Sequence, residues 1–146
     1  MLPPRILITG ADGFIGRQAI KPLADMGFDV HAVNFYRTEG LPEGATWHLC
    51  NLMDPNAVKG IIVDLKPTHL LHFAWYAEHG KYWASEKNFD WVETSIRLLR
   101  TFAEMGEKTW RVVACDTVVC EVARNMGYKV INPAPAKPNQ PAPKIV

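Results

Sequence analysis

The chain has 146 residues, a length typical of one domain, with an ordinary globular composition of 48% hydrophobic and 21% charged residues. A formal net charge of +1 and the lack of any run of Lys or Arg exclude a nucleic-acid-binding surface. No apolar run approaches the ~20 residues of a membrane span, which excludes a membrane partner. Three cysteines without zinc spacing, and a first strand that follows the N-terminus directly, predict free thiols, no signal peptide and a cytoplasmic location.

The first two predicted elements are a buried strand and a helix. Residues 5–9 form an apolar run typical of a strand buried on both faces, and residues 14–26 have helical character up to Gly27. Pro22 lies inside this helix and predicts a kink or a late start near it.

Three glycines lie in the turn between this strand and this helix. Gly10 would permit a tight turn, Gly13 would let the backbone approach a phosphate, and Gly16 would let the helix pack on the strand. A helix N-terminus supplies free N–H groups and the positive end of the helix dipole, which suit a dinucleotide pyrophosphate. The residues expected to line this site are Gly10, Asp12, Gly13, Phe14, Ile15 and Gly16.

The remaining elements alternate between strands and helices. Strands are predicted over 28–33, 46–50, 68–74 and 110–114, and helices over about 54–65 and 88–105. Asp54 is expected to cap the second helix, with Pro55 at its first position. This alternation predicts an α/β fold, a three-layer Rossmann-type doubly wound parallel sheet with strand order 3-2-1-4-5.

The last thirty residues change in character. Residues 117–126 are interpreted as a short helix and 128–131 as a sixth strand, which would end a dinucleotide-binding domain over residues 1–131. Residues 132–146 hold five prolines without apolar periodicity and predict an extended or disordered tail.

The end of the second strand bears on the choice of cofactor. Asn34 occupies the position where an acidic residue would accept the hydroxyls of an adenosine ribose. An amide does not repel a phosphate, and Arg37 lies three residues further on. The pair tilts the expected cofactor, NAD or NADP, slightly toward NADP. The alternative is that Arg37 is an ordinary exposed loop residue.

Two further features have competing interpretations. His72 has the chemistry of a general base, but a histidine inside an apolar strand is more often a packed residue bonded to backbone. The five histidines have no metal-ligand spacing, so no metal site is expected. The loop and helix start between residues 75 and 91 form either a wall for substrate or nicotinamide or, preferably, a surface buried in a homodimer. Its aromatic residues are Trp75, Tyr76, Tyr82, Trp83, Phe89 and Trp91.

The glycine spacing, together with three matches in register, resembles the extended short-chain dehydrogenase/reductases, the NAD-dependent epimerase/dehydratase group. The matches are Asn51-Leu52 after the third strand, Lys66-Pro67-Thr68-His69 before the fourth, and His72-Phe73-Ala74-Trp75 at its end. The resemblance covers residues 5–114. It implies that Asn51 and Leu52 lie beside the adenine and that Phe73, Ala74 and Trp75 lie on the nicotinamide side. Most relatives act on nucleotide-linked sugars.

The chain also departs from the family pattern. The family's Tyr-x-x-x-Lys pair, in which the lysine lowers the tyrosine pKa, does not occur here, and Thr117 is the one thin candidate for the family's catalytic Ser or Thr. The family's region for the sugar nucleotide is not represented. We therefore expect an NAD(P)-binding domain without turnover of its own. The alternatives are an active epimerase, dehydratase or reductase with another acid–base residue, such as His72, and an interaction domain without cofactor.

The resemblance also implies a route to association. The two helices near residues 55–65 and 88–105 form the usual four-helix dimer contact of the family. A homodimer is therefore expected, formed through these helices or through the aromatic segment after the fourth strand.

Overall fold

The structure is a computed structural model and describes residues 2–37, 39–105 and 111–114. The five strands are β1 (Arg5–Thr9), β2 (Asp29–Asn34), β3 (Thr46–Leu49), β4 (His69–His72) and β5 (Arg111–Ala114). The three helices are α1 (Gly16–Asp25), α2 (Pro55–Leu65) and α3 (Lys87–Met105), and a short 3-10 turn spans Tyr82–Ala84. The predicted sixth strand, the helix over 117–126, the tail over 132–146 and Thr117 lie outside the described residues.

The sheet has the predicted order, β3-β2-β1-β4-β5, and the four strand pairs are all parallel. The first strand lies in the middle, between β2 and β4, because the chain adds strands on one side of β1 up to β3 and then on the other side, as is typical of doubly wound sheets. The prediction that β1 lies inside the sheet is therefore confirmed. The bounds of β2, β3 and β4 differ from the predicted ones by one or two residues. The largest difference is at β4, which ends at His72, so that Phe73 and Ala74 lie beyond the strand.

Successive side chains of β1 point to opposite faces of the sheet and thereby build two apolar layers. Ile6 and Ile8 pack with Ile20 of α1 on one face. Leu7 packs on the other face, in the layer that contains Ile62 of α2. This second layer also takes Leu98, Leu99 and Phe102 from α3. Both faces of the sheet are covered, which explains why β1 is an uninterrupted apolar run.

Two proline positions illustrate what sequence can and cannot predict about helices. Pro55 is the first residue of α2, and the Asp54 side chain accepts a hydrogen bond from the backbone N–H of Asn56 at 2.9 Å, as predicted. The prediction for Pro22 is wrong in one respect, because α1 begins at Gly16, well before the proline, and continues to Asp25.

Four polar side chains on β1, β2 and β3 contact one another in a row that begins at the amino-terminal ends of β1 and β2. Arg5 Nε donates to Asp29 at 2.7 Å, His31 Nε2 lies 3.2 Å from the same carboxylate, and His31 Nδ1 lies 2.9 Å from His48 Nε2. The hydrogen bond from Arg5 holds the pKa of Asp29 below its usual value. Burial, followed by the charge of His31, lowers the pKa of His48.

Within the described part of the chain, no three His, Cys, Asp or Glu side chains are arranged to hold a metal ion. In the same residues, every helix is too short or too polar to cross a bilayer.

Candidate functional site

A cleft of about 630 Å³ opens at the carboxyl ends of β1, β2 and β4. The chain runs from β1 toward β2 on one side and returns to β4 on the other, so this cleft lies at the switch point of the sheet, where open α/β folds bind ligands. It brings together all but one of the residues predicted to bind cofactor. Those lining it are Gly10, Asp12, Gly13, Phe14, Ile15, Gly16, Asn34, Asn51, Leu52, Phe73, Ala74 and Trp75.

Gly10 makes the turn out of β1 and also forms the floor of the cleft. Its φ of +63° is the left-handed conformation that side chains disfavour, which confirms the predicted tight turn. A Cβ at this position would lie 2.6 Å from the backbone nitrogen of Ala74 and 2.7 Å from the carbonyl carbon of Phe73. Glycine is therefore required at this position both for the backbone conformation and for the close contact with residues 73 and 74. The contact with the segment after β4 was not foreseen from the sequence.

Gly16 and Gly13 serve different purposes in the same turn. Gly16 is buried at the start of α1, and a Cβ there would overlap the carbonyl oxygen of Gly10, so the helix begins in direct contact with the turn. Gly13 is exposed, and its added Cβ would meet one atom, the Gly10 carbonyl oxygen, at 3.2 Å. The space that a side chain would take at Gly16 is filled by backbone atoms, whereas at Gly13, which lines the cleft, it is largely open.

The first turn of α1 is suited to an anion. Ile15, at its N-cap position, makes no side-chain capping bond, and the first turn contains no acidic residue. The side chains of Phe14 and Ile15 are 88% and 62% exposed at the mouth of the cleft. The positive end of the helix dipole therefore faces the cleft. The N–H groups of Arg17 and Gln18 donate to the carbonyls of Gly13 and Ile15, and Asp12 also lines the cleft.

Asn34 is buried at the end of β2, and its side-chain oxygen is already engaged. Its Oδ1 accepts the backbone N–H of Arg37 at 2.6 Å, which closes the loop after the strand. Arg37 itself is exposed and does not line the cleft, unlike the other predicted residues. Phe35 and Tyr36 do line it, with 64% and 72% of their surfaces exposed, and sequence reasoning missed both.

The segment after β3 forms the neighbouring wall. The side-chain oxygen of Asn51 accepts the backbone N–H of Met53 at 3.0 Å, and Leu52 packs against the apolar layer under α2 and α3. Cys50 also borders the cleft and is 6% exposed. Burial, with a smaller effect of the Asp54 carboxylate, raises the pKa of the Cys50 thiol and keeps it in its unreactive protonated form.

The aromatic segment contributes part of the wall on the opposite side. The Trp75 ring lies 6.4 Å from that of Trp91 and its Nε1 donates to Asn88 at 3.1 Å, which ties the segment to the start of α3. Trp75 and Trp91 line the cleft, whereas Phe89 is 77% exposed. Both interpretations of this segment, cleft wall and association surface, therefore have residues that suit them.

Tyr76, in the same segment, lies in a small group of charged and polar side chains. Its hydroxyl donates to Glu78 at 2.8 Å, and this bond raises the pKa of Tyr76, while the Lys87 ammonium lies 4.8 Å from the ring centre. Lys81 in turn lowers the pKa of Glu78. A Tyr-x-x-x-Lys pair lowers the tyrosine pKa, so the surroundings of Tyr76 differ from those that such a pair provides.

His72 does not line the cleft. Its ring is 2% exposed, Nδ1 lies 2.6 Å from Thr9 Oγ1, and Nε2 lies 2.8 Å from Ser95 Oγ. The packed interpretation agrees with this burial, but both ring nitrogens lie against side-chain hydroxyls rather than the expected backbone groups. The other catalytic candidate, Thr117, lies outside the described residues.

The fold and the site together define a doubly wound α/β domain with a glycine-rich turn at its switch point. The model of the NAD dependent epimerase/dehydratase family matches residues 6–141, and the chain belongs to this family. The resemblance seen in the motifs is thereby confirmed, and the match continues well beyond residue 114, where that resemblance ended.

Three relatives illustrate the range of the similarity. Methionine adenosyltransferase 2 subunit beta of Danio rerio is 31% identical over 70 residues, which cover 48% of this chain and 20% of the relative. The Thermus thermophilus UDP-glucose 4-epimerase in complex with NAD superposes with a TM-score of 0.64 at 24% identity, over 75% of this chain and 36% of that one. A monomeric L-threonine 3-dehydrogenase from a metagenome gives a TM-score of 0.71 at 15% identity, over 87% of this chain and 52% of the dehydrogenase. The chain thus spans about half the length of these relatives or less.

Proposed function

We propose that this chain binds a nicotinamide dinucleotide in the cleft at the carboxyl ends of β1, β2 and β4. One observation carries the proposal: Gly13, which has no side chain, leaves space in the cleft beside the start of α1, at the place where a pyrophosphate is bound by folds of this kind. The similar epimerase described above was solved in complex with NAD, which supports the same class of ligand. Calorimetric titration with NAD and with NADP tests the proposal, and the absence of heat with both would contradict it.

The finer proposal is a preference for NADP. Asn34 Oδ1 accepts the Arg37 N–H, which fixes the orientation of the amide, and its NH₂ group can donate to a ligand. A donor suits a 2′-phosphate, whereas recognition of both ribose hydroxyls favours a carboxylate acceptor. The exposed Arg37 guanidinium, three residues on, adds positive charge near the same loop.

Replacing Asn34 by aspartate is therefore expected to reverse the preference. One carboxylate oxygen can still accept the Arg37 N–H, so the loop is retained, while the other accepts a ribose hydroxyl and repels a 2′-phosphate. We expect the ratio of NADP to NAD affinity to fall by about tenfold or more, equivalent to about 1.4 kcal/mol. Titration of both cofactors measures this ratio.

Asn51→Asp is the matched control for this experiment. Asn51 also lines the cleft and also accepts a backbone N–H, from Met53, through its side-chain oxygen. The control adds the same negative charge to the cleft on the β3 side. An equal change of the ratio in both variants would show a general charge effect and contradict the assignment to Asn34.

For the chemistry, we propose binding without turnover by this chain. The family resemblance makes a nucleotide sugar the substrate class, and the similar epimerase bears the name of one, UDP-glucose. Support for the lack of turnover is the missing Tyr-x-x-x-Lys pair, together with the burial of His72 away from the cleft. An active enzyme with another acid–base residue is the alternative, and turnover of a nucleotide sugar that is lost in Thr117→Ala would favour it.

A role as a subunit or interaction domain without cofactor is the second candidate function. It is favoured by one comparison, since the curated relative is described as the beta subunit of a methionine adenosyltransferase. Failure of both dinucleotides to bind the folded chain would favour this candidate.

Self-association is a further part of the proposal and gives a separate prediction. Phe89 is 77% exposed at the start of α3, and Val63 is 38% exposed on α2, so each of the two expected contact regions carries an apolar side chain in solvent. We expect sedimentation velocity at micromolar concentration to give a homodimer. Phe89→Glu should dissociate it if the aromatic segment forms the contact, and Val63→Glu if α2 and α3 form it; a monomer in the unmodified chain would contradict the proposal.

A further inference from the structure

A buried row of three polar side chains crosses the molecule behind the cleft. Thr9 ends β1, His72 ends β4 and Ser95 belongs to α3, and their exposed fractions are 0%, 2% and 0%. The imidazole joins the other two, with 2.6 Å between Nδ1 and Thr9 Oγ1 and 2.8 Å between Nε2 and Ser95 Oγ. The row therefore links a helix to the two central strands without contact with solvent.

The Thr9 hydroxyl connects this row to the cleft. It accepts a hydrogen bond from the backbone N–H of Ala74 at 3.3 Å, and the Thr9 carbonyl accepts the N–H of Phe73 at 3.1 Å. Phe73 and Ala74 line the cleft and are the residues against which Gly10 packs without a side chain. Thr9 thus holds the segment after β4 against the glycine turn.

The hydrogen-bond donors and acceptors of the three side chains indicate which nitrogen of the His72 ring carries the proton. A hydroxyl has one proton, and the Thr9 oxygen already accepts the Ala74 N–H, so its own proton is best donated to His72 Nδ1. The ring then carries its proton on Nε2 and donates it to Ser95. In this arrangement the Ser95 proton needs an acceptor, and a serine in a helix can donate to the carbonyl one turn before it. With the opposite tautomer, the Thr9 proton would need another acceptor, at the end of a strand.

We propose that His72 is a positioning residue for the dinucleotide cleft, acting in its Nε2–H tautomer through the Thr9 hydroxyl on the Phe73–Ala74 backbone. By accepting the Thr9 proton, the ring turns the lone pairs of that oxygen toward Ala74 and keeps this backbone at its close approach to Gly10. The proposal rests on the proposed function, since it concerns the shape of the same cleft.

Two substitutions of His72 separate its two hydrogen bonds. The amide of His72→Asn reaches the place of Nδ1, where its oxygen can accept the Thr9 proton, but it falls short of Ser95. The amide of His72→Gln reaches the place of Nε2, where its nitrogen can donate to Ser95, but it leaves Thr9 without its acceptor. Each variant loses one buried hydrogen bond and volume from the core, so both should be destabilised to a similar extent in urea.

The dinucleotide affinity should distinguish them. We expect His72→Asn to remain within about threefold of the unmodified chain and His72→Gln to bind about tenfold more weakly, the ratio that a lost buried hydrogen bond gives. Equal affinities in the two variants would overturn the positioning role while leaving the proposed function standing. If the unmodified chain bound neither NAD nor NADP, the proposed function itself would fail, and this inference with it.

A second pair of variants covers the case in which His72 substitutions fail to fold. Thr9→Val removes the hydroxyl that contacts Ala74 and should weaken dinucleotide binding, whereas Ser95→Ala leaves the Thr9–His72 pair and should not. The ¹⁵N chemical shifts of the ring in the unmodified protein give an independent readout, with a protonated Nε2 and an unprotonated Nδ1 expected. A proton on Nδ1, or weaker binding in Ser95→Ala than in Thr9→Val, would overturn the inference.

Discussion

Replacing Gly13 by valine is expected to abolish dinucleotide binding and to leave the fold intact. The backbone at Gly13 has no positive φ, and its added Cβ would touch one atom of the turn at 3.2 Å, so the protein can accommodate the substitution with a small shift. The two methyl groups of the valine would then occupy the space that a pyrophosphate needs. We expect titration to show an affinity at least about 100-fold lower, which corresponds to about 2.7 kcal/mol.

Gly60→Val is the matched control for this experiment. Gly60 lies in α2, is exposed, and has no atom within 4 Å of an added Cβ, so the same change of side chain occurs away from the cleft. This variant should bind as the unmodified chain does. Unchanged affinity in a folded Gly13→Val protein would contradict the assignment of the phosphate site.

Replacing Gly16 by alanine should mainly lower the stability of the fold, whereas Gly13→Val should mainly lower the dinucleotide affinity. Its Cβ would overlap the Gly10 carbonyl oxygen and would also lie 2.9 Å from the Cα of Ala11, and these are backbone atoms that cannot turn away. The start of α1 and the turn must therefore move apart. We expect the free energy of unfolding to fall by about 3 kcal/mol, the upper part of the range for inserting a methyl group into a filled core.

The control is again in α2, where Gly60→Ala exchanges the same residue types at an exposed helical position. This change should raise the stability by up to about 1 kcal/mol, because alanine has the higher helix propensity. Urea unfolding of the two variants measures both effects. Equal stability in Gly16→Ala and the unmodified chain would show that the helix start is not packed against the turn as described.

Much of the fold could be predicted because its causes are local in the chain. The apolar run at residues 5–9 indicates a strand, and Asp54 followed by Pro55 indicates a helix start, because both signals lie in residues adjacent in the chain. The strand order followed from the alternation of elements and the handedness of crossovers. The start of α1 was less well predicted, since the burial of Gly16 against Gly10 contributes to where the helix begins.

The sequence predicted which residues line the candidate site but not how their atoms are arranged there. Twelve predicted positions line the cleft because parallel strands end at one edge of a sheet, so residues that follow β1, β2, β3 and β4 must meet there. Arg37 does not line it, because the bond between its backbone N–H and Asn34 closes the loop and the side chain remains exposed. Phe35 and Tyr36 were missed because nothing in a two-residue aromatic pair indicates the side of a loop on which it lies.

By itself, the sequence determined the class of fold, the family, and the glycine turn, since these depend on spacing between residues that are near one another in the chain. The tertiary structure alone decided which atoms of that turn have room and which do not. It also decided the partners of His72, which lie 63 residues before it at Thr9 and 23 residues after it at Ser95. Contacts of this kind form only when strands and helices pack, because a buried polar atom takes whichever hydrogen-bonding group the packing brings within reach.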